Sequence, residues 1–313
     1  MNIYPANDEN IKKAAQLLQK GGVVAMPTET VYGLAANVYN SKAVANIFAI
    51  KGRPTFNPLI SHIAEIDFLK EYAQTDERVI ALAKKYWPGP LTFVLNRIDN
   101  DPALDLVSAG LRTITVRMPN HPVALQLIKK AGVPLAAPSA NASQTMSPTT
   151  AEHVYESLGE KVDMILDGGA CQVGVESTII DVTGKDVVML RAGGISLEEL
   201  EKFLGEKVLI SDGNPNKPNS PGQLLKHYAP SHTFRINAEK PEDGEYYIGF
   251  GNSPQADINL SPTGNLCEAA SNLFSFLHIA DRQKSIKGIA MAPIPDREIG
   301  MAINDRIKRA AKR

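Results

Sequence analysis

The chain is poor in cysteine. It has two, Cys171 and Cys267, far apart and in no CxxC pair, which excludes a disulfide framework and argues against a structural zinc site. HExxH is absent, and the six histidines show no metal-ligand spacing. No apolar run approaches the roughly 20 residues of a membrane span. The opening MNIYPANDENIKK turns polar at once and has no signal-peptide h-region, so the expectation is a soluble cytoplasmic protein without membrane contact. Charge of one sign is also lacking. The formal net charge is −1 and the pI about 6.6, which speaks against a broad basic grip on nucleic acid but leaves room for a local anion pocket. GxGxxG, GxxxxGK[ST], the GxSxG elbow and the kinase signatures are all missing.

What is present is 313 residues, 43% of them hydrophobic, enough for one large domain or two smaller ones. Helix and strand patterns alternate. Apolar spacing predicts helices over 9–20, from a cap at Ser41 to Lys51-Gly52, over 76–86, from a cap at Asn120 to Lys130, over 151–158, and over 197–204 behind a Ser196/Glu199 capping box. Short apolar runs predict strands at 23–26, 91–95, 113–117, 135–137 and 162–166, with 177–182 and 187–190 paired about Thr183-Gly184-Lys185. SDGNPNKPNSPGQ, Ser211 to Gln223, is aperiodic and reads as a linker running into LLKHYAP. Beyond it, strands at 245–250 and 288–292 alternate with helices at 266–277 and 301–311, a small parallel Rossmann-like unit. The expected division is 1–207, a linker or lid at 208–231, and 232–313. The fold class is α/β: a twisted, mixed or parallel open sheet plus a smaller Rossmann-like domain.

Polar residues recur at strand ends. In KGRPTFNPLISH, Gly52 ends a helix and Pro54 forces Arg53 into an extended conformation, so Lys51 and Arg53 sit on a stiff bend with Asn57 and His62 beyond. Thr28 and Thr30 of MPTETVYGLAAN lie two apart after an apolar strand, where open α/β sheets bind ligands. Thr113, Thr115 and Arg117 share one strand face, a fit for a carboxylate or phosphate. Ser139 and Asn141 stand among alanines, and Ser147-Pro148-Thr149 leads into a helix whose N-terminus suits a phosphate. Glu176 and Thr178 face one way and Ser177 the other, and Arg191 ends the next strand. Each stretch alone also reads as a solvated loop or a cap. Their repetition argues for a polar, anion-binding pocket with few carboxylates. No nucleophile stands out, Cys171 included.

MPTETVYGLAAN, KGRP with NPL and SH, TVRMP, APSANAS with SPT, ESTIID and RAGG together resemble the YrdC-like threonylcarbamoyl-AMP synthases. SPGQLLKHYAP and GIAMAPIPDREIGMAINDRIKRAA resemble the linker and final segment of that family's long, two-domain form. Lys51, Arg53, Ser139 and Asn141 match its signature tetrad. The resemblance implies a nucleotidyltransferase that makes threonylcarbamoyl-adenylate and pyrophosphate from L-threonine, bicarbonate and ATP with Mg²⁺. It further implies that the product serves threonylcarbamoyl-transferase machinery modifying the tRNA adenosine beside the anticodon, with weak or no direct tRNA binding. L-threonine would contact Thr30, His62, Arg117, Ala137 and Ser177. ATP would contact Lys51, Arg53, Asn57, Thr113, Ser139, Asn141, Ser147 and Arg191, with Lys51 and Arg53 catalytic and Tyr228 closing as a lid. Gln144 departs from the family's usual glycine, which opens the question of that loop's conformation. Two other readings are a carbamoyl-adenylate activity like that of hydrogenase-maturation carbamoyltransferases, whose extra cysteine-bearing segments this chain lacks, and an RNA-binding module, supported only by the basic stretch 306–313.

Overall fold

The computed structural model describes residues 1–98, 102–211 and 227–312; most of the expected linker, 212–223, lies outside them. Among the described residues, fifteen strands form two sheets. The larger contains β1 (Ile3–Pro5), β2 (Val24–Met26), β3 (Gly33–Asn37), β4 (Ile60–His62), β5 (Leu91–Asn96), β6 (Thr113–Arg117), β7 (Leu135–Ala136), β8 (Met164–Asp167), β9 (Thr178–Asp181), β10 (Val188–Arg191) and β11 (Leu209–Ile210). Their order is β1-β8-β2-β3-β7-β4-β6-β5-β9-β10-β11. Pairing is mixed: β4 runs parallel to β6 and β5 to β9, while β3 and β7 are antiparallel neighbours and β9 and β10 form the expected antiparallel pair.

The helices of this part are α1 (Asp8–Gln19), α2 (Ser41–Lys51), α3 (Leu69–Tyr72), α4 (Glu77–Tyr86), α5 (Pro102–Val107), α6 (Pro122–Ala131), α7 (Ala151–Leu158) and α8 (Leu197–Leu204). The Ser196 cap holds, with its side chain accepting from Glu199 N. Two expected caps shift by one residue. Asn40, not Ser41, caps α2, because its side chain accepts from Ala43 N. His121 occupies the cap position of α6 and makes no side-chain capping bond, the start being set by Pro122 at the first turn. Gly52 closes α2 at φ +61, as read from the sequence.

The smaller sheet, β12 (Phe234–Arg235), β15 (Gly288–Met291), β13 (Glu245–Gly249) and β14 (Ile258–Asn259), is parallel throughout. It packs with α9 (Leu266–Asp281) and α10 (Gly300–Ala310). Its core does not stop at its own elements. Val31, Met146 and Val175 from the first part, and Tyr228, are buried in one cluster with Leu273, Phe274 and Ile303. Polar contacts line the same seam: Arg282 grips Glu156 with two bonds of 2.6 and 2.7 Å, Thr149 Oγ1 lies 2.9 Å from Ser275 Oγ, and the His153 and His278 rings stack at 3.9 Å. At Gly174, φ +74, the backbones meet so closely that a Cβ would lie 2.4 Å from the Ala270 carbonyl oxygen.

Candidate active site

β4 and β7, three and two residues long, sit with β3 at the middle of the large sheet. Their brevity lets loops from several strands turn inward at one place. Thr30, Arg53, His62, Arg117, Ala137, Ser139, Ser177, Arg191 and Tyr228, nine of the expected site residues, line one cavity there with Glu176 and His227. Its free volume is only about 50 Å³.

Three guanidinium groups converge on this cavity. Arg117, at the end of β6, donates to Thr30 Oγ1 at 2.9 Å and to the Gly89 carbonyl at 3.2 Å, and lies 2.6 Å from a Glu29 carboxylate oxygen. Arg191, ending β10, donates to the carbonyl and hydroxyl of Ser177 at 2.9 and 3.1 Å. Arg53 donates to the Pro58 carbonyl at 3.0 Å. Burial lowers the pKa of Arg53 and of Arg191 to about 10, which leaves both charged at neutral pH. His62 is held neutral: burial first, then Arg117, lowers its pKa to about 3. Its Nδ1 lies 3.2 Å from the Ile60 carbonyl, and the Leu135 carbonyl is a second acceptor for the ring.

The other expected residues stand behind the wall. The Lys51 ammonium, its pKa pushed well down by burial and by Arg53, donates to the carbonyls of Ser139 and Asn141, both at 2.5 Å, and so clamps the SAN loop to the end of α2. Asn57 and Asn141 are buried, and the Oδ1 of each has no hydrogen-bond partner among the described residues. Thr113 opens β6, paired with Asn96. Ser147 is fully buried and donates to Glu176 Oε1 at 2.5 Å. The helix following it begins at Ala151 under a Thr150 cap, and the stretch before it packs against α9 through Thr149 and Ser275, not against the cavity. Gln144 takes φ +73, the conformation a glycine would adopt, and its carbonyl accepts from Ala229 N at 3.0 Å. The loop thus keeps the turn and ties down the residue after Tyr228.

The sequence reading passed over four residues. Glu29 and Glu176 were visible as acids, but nothing local tied them to arginines distant in sequence. His227 adjoins Tyr228, their rings 4.0 Å apart. Arg306 looked like part of a basic tail, yet it is fully buried against Glu176. Among the described residues, no group of three or more His, Cys, Asp or Glu could hold a metal ion, and no helix is long and apolar enough to cross a membrane.

Residues 16–193 match the Sua5/YciO/YrdC family, described as "Telomere recombination", and residues 195–312 match "Threonylcarbamoyl-AMP synthase, C-terminal domain". The threonylcarbamoyl-AMP synthase of Bacillus subtilis is 39% identical over 327 residues, covering 97% of this chain and 94% of the relative. That of Pyrococcus abyssi is 39% identical over 322 residues, covering 96% and 94%. The crystal structure of P. abyssi Sua5 complexed with L-threonine superposes with a TM-score of 0.90 at 37% identity, over 99% of this chain and 96% of that one. Matched in both halves and along nearly its whole length, the chain belongs to the Sua5/YciO/YrdC family, in the form that carries the threonylcarbamoyl-AMP synthase C-terminal domain.

Proposed function

We propose that the chain is a threonylcarbamoyl-AMP synthase, forming L-threonylcarbamoyl-adenylate and pyrophosphate from L-threonine, bicarbonate and ATP. The observation that carries this is the convergence of Arg53, Arg117 and Arg191 with Thr30, Ser139 and Ser177 in one cavity. That is a site for an amino-acid carboxylate beside a polyphosphate. A relative of the same fold has been crystallised with L-threonine.

Arg117 would take the threonine carboxylate, its guanidinium oriented by Glu29 and Thr30. Neutral His62, Ala137 and Ser177 would complete the amino-acid side. Arg53, Arg191 and Ser139 would hold phosphates. Lys51 has two of its three protons directed at carbonyls, which leaves a third for a phosphate oxygen. The unmet Oδ1 atoms of Asn57 and Asn141 would accept from the nucleotide side; Thr113 and Ser147 would support that wall. The threonine amine adds to bicarbonate to give a carbamate with loss of water. A carbamate oxygen then attacks the α-phosphorus, and pyrophosphate carries away the bonding pair. The threonine ammonium would give up a proton to water before it adds, no general base standing out in the pocket, so positioning and charge stabilisation do the work. Mg²⁺ would arrive with ATP as part of the substrate, because no carboxylate group here forms a cage for it.

The cavity's small volume gives the lid a concrete meaning. Tyr228 and His227 line the cavity, and in the lid reading they would withdraw for loading and return over a labile carbamate. The catalytic unit, expected to end at 207, would run on through β11 at Leu209–Ile210, which pairs with β10 in the large sheet, and the smaller domain would be 232–313. The adenylate would pass, in the cytoplasm, to the transferase machinery that modifies tRNA, with little direct tRNA binding here. Pyrophosphate release from ATP tests the reading. It should require both L-threonine and bicarbonate, and release indifferent to threonine from a folded protein would overturn it.

A further inference from the structure

Among the described residues lining the cavity, Glu176 alone carries a carboxylate, against three guanidinium groups. A bare carboxylate there works against any anionic ligand and draws the nearest arginine onto itself. Glu176 is not bare. Its Oε2 accepts from Arg306 Nε at 2.8 Å, and its Oε1 from Ser147 at 2.5 Å. Arg306 comes from α10, at the far end of the second domain. It is fully buried, donates also to the Ala192 carbonyl at 2.8 Å and Asp305 Oδ2 at 2.9 Å, and lies 5.6 Å from the Tyr228 ring centre. One side chain thus touches the pocket acid, the backbone just after Arg191, and the ring that closes the cavity.

We infer that Arg306 is a positioning residue of the nucleotide site, supplied by the second domain, which neutralises Glu176 and thereby reserves Arg191 for the phosphates of ATP. The inference rests on the proposed function for the identity of the anion. Burial by itself would raise the Glu176 pKa; the charges of Arg306 and then Arg191, with the Ser147 and Arg306 hydrogen bonds, hold it instead at about 2. Glu176 therefore stays ionised at every working pH, and its negative charge must be met by a neighbouring cation. With Arg306 gone, Arg191 is the cation left to meet that charge. Undocking of the second domain has the same consequence, so the site is incomplete without it.

The test is a charge cycle read by titration of the full chain with Mg·ATP. Wild type must bind first; no binding there counts against the proposed function itself. Given binding, Arg306→Met, of similar length and no charge, should weaken ATP by roughly tenfold or more. Glu176→Gln/Arg306→Met, which removes both charges, should recover ATP affinity to within about threefold of wild type. Glu176→Gln alone leaves Arg306 in place and its amide oxygen able to accept, and it should bind ATP at least as well as wild type. Wild-type affinity in Arg306→Met overturns the inference. A double variant as weak as the single one also does, since it makes Arg306 a packing residue only. Should Arg306→Met fail to fold, Glu176→Gln decides: loss of ATP affinity beyond about threefold is incompatible with a carboxylate that needs neutralising.

Discussion

Gly174→Ala probes the seam between the domains without touching the cavity. The added methyl would stand 2.4 Å from the Ala270 carbonyl oxygen and 2.5 Å from Ser271 Cα, both backbone atoms of α9 that no rotamer change can move. Relief requires the two faces to part by about 1 Å, since non-bonded contacts of this kind settle near 3.5 Å. Two costs add. Overpacking a close-fitted contact costs about 1–3 kcal/mol, and holding a non-glycine residue at positive φ costs about 1–2 kcal/mol. The sum, roughly 2–5 kcal/mol, falls on docking of the second domain. Hydrogen exchange should quicken in α9 and around Ala229, and ATP affinity should drop because Arg306 moves with its domain. Gly184→Ala is the control, with nothing within 4 Å of the new methyl. If Gly174→Ala matched Gly184→Ala in unfolding midpoint, exchange and ATP affinity, the two domains would not be coupled through this seam.

Gln144→Gly should raise the unfolding free energy by up to about 1 kcal/mol, because the residue sits at φ +73 and its bond to Ala229 uses only backbone; a lowered midpoint would show that the Gln144 side chain holds the loop. Arg117→Lys should weaken L-threonine by about tenfold or more while ATP binding stays near wild type; the opposite pattern in paired titrations would move Arg117 to the phosphate side. Acid should loosen the seam. Burial, then His278 and Arg282, depress the His153 pKa to about 3, so the docked state favours the neutral ring. Its contribution is whole above the free-histidine pKa of about 6.5 and declines as pH falls below it, by about 2 kcal/mol at pH 5, until the docked form itself protonates near 3. Burial lowers the pKa of His62, His121, His227 and His278 as well, so His153→Gln should flatten the slope of stability between pH 6.5 and 5 without abolishing it. An unchanged slope would remove His153 as a contributor.

Much of this architecture was legible because local chemistry sets it. Gly52 after a helical period, the Ser196/Glu199 capping box and the alternation of Thr113 to Arg117 each act within a few residues, and each appears in the fold. Six strands were missed: β1, β3, β4, β11, β12 and β14. None is longer than five residues, and GLAAN and ISH, too short or too poor in β-branched and aromatic residues to signal themselves, are made strands by pairing on both sides, to β2 and β7 for one and to β6 and β7 for the other. At the site, residue types at strand ends were readable, and nine expected residues share the cavity. Partners were not readable. That Lys51 spends protons on two carbonyls, that Glu29 meets Arg117, and that Arg306 reaches back to Glu176 across the domain seam are facts of tertiary packing.

The burial of Arg306 against Glu176 has a consequence for how the protein comes into being. Chains emerge from the ribosome N-terminus first, at roughly 5–20 residues per second, and domains fold as they appear. The large sheet is complete once β11, at Leu209–Ile210, has emerged, well before α10 exists. Through that interval Glu176 is paired with no arginine of the second domain, and Tyr228 lacks Phe274 and Ile303 to pack against. A nascent or prematurely terminated chain would therefore hold most of a pocket without being able to fill it with nucleotide. If Arg306 positions the site as inferred, nucleotide binding would await residue 306, and α10 would report that synthesis has reached it.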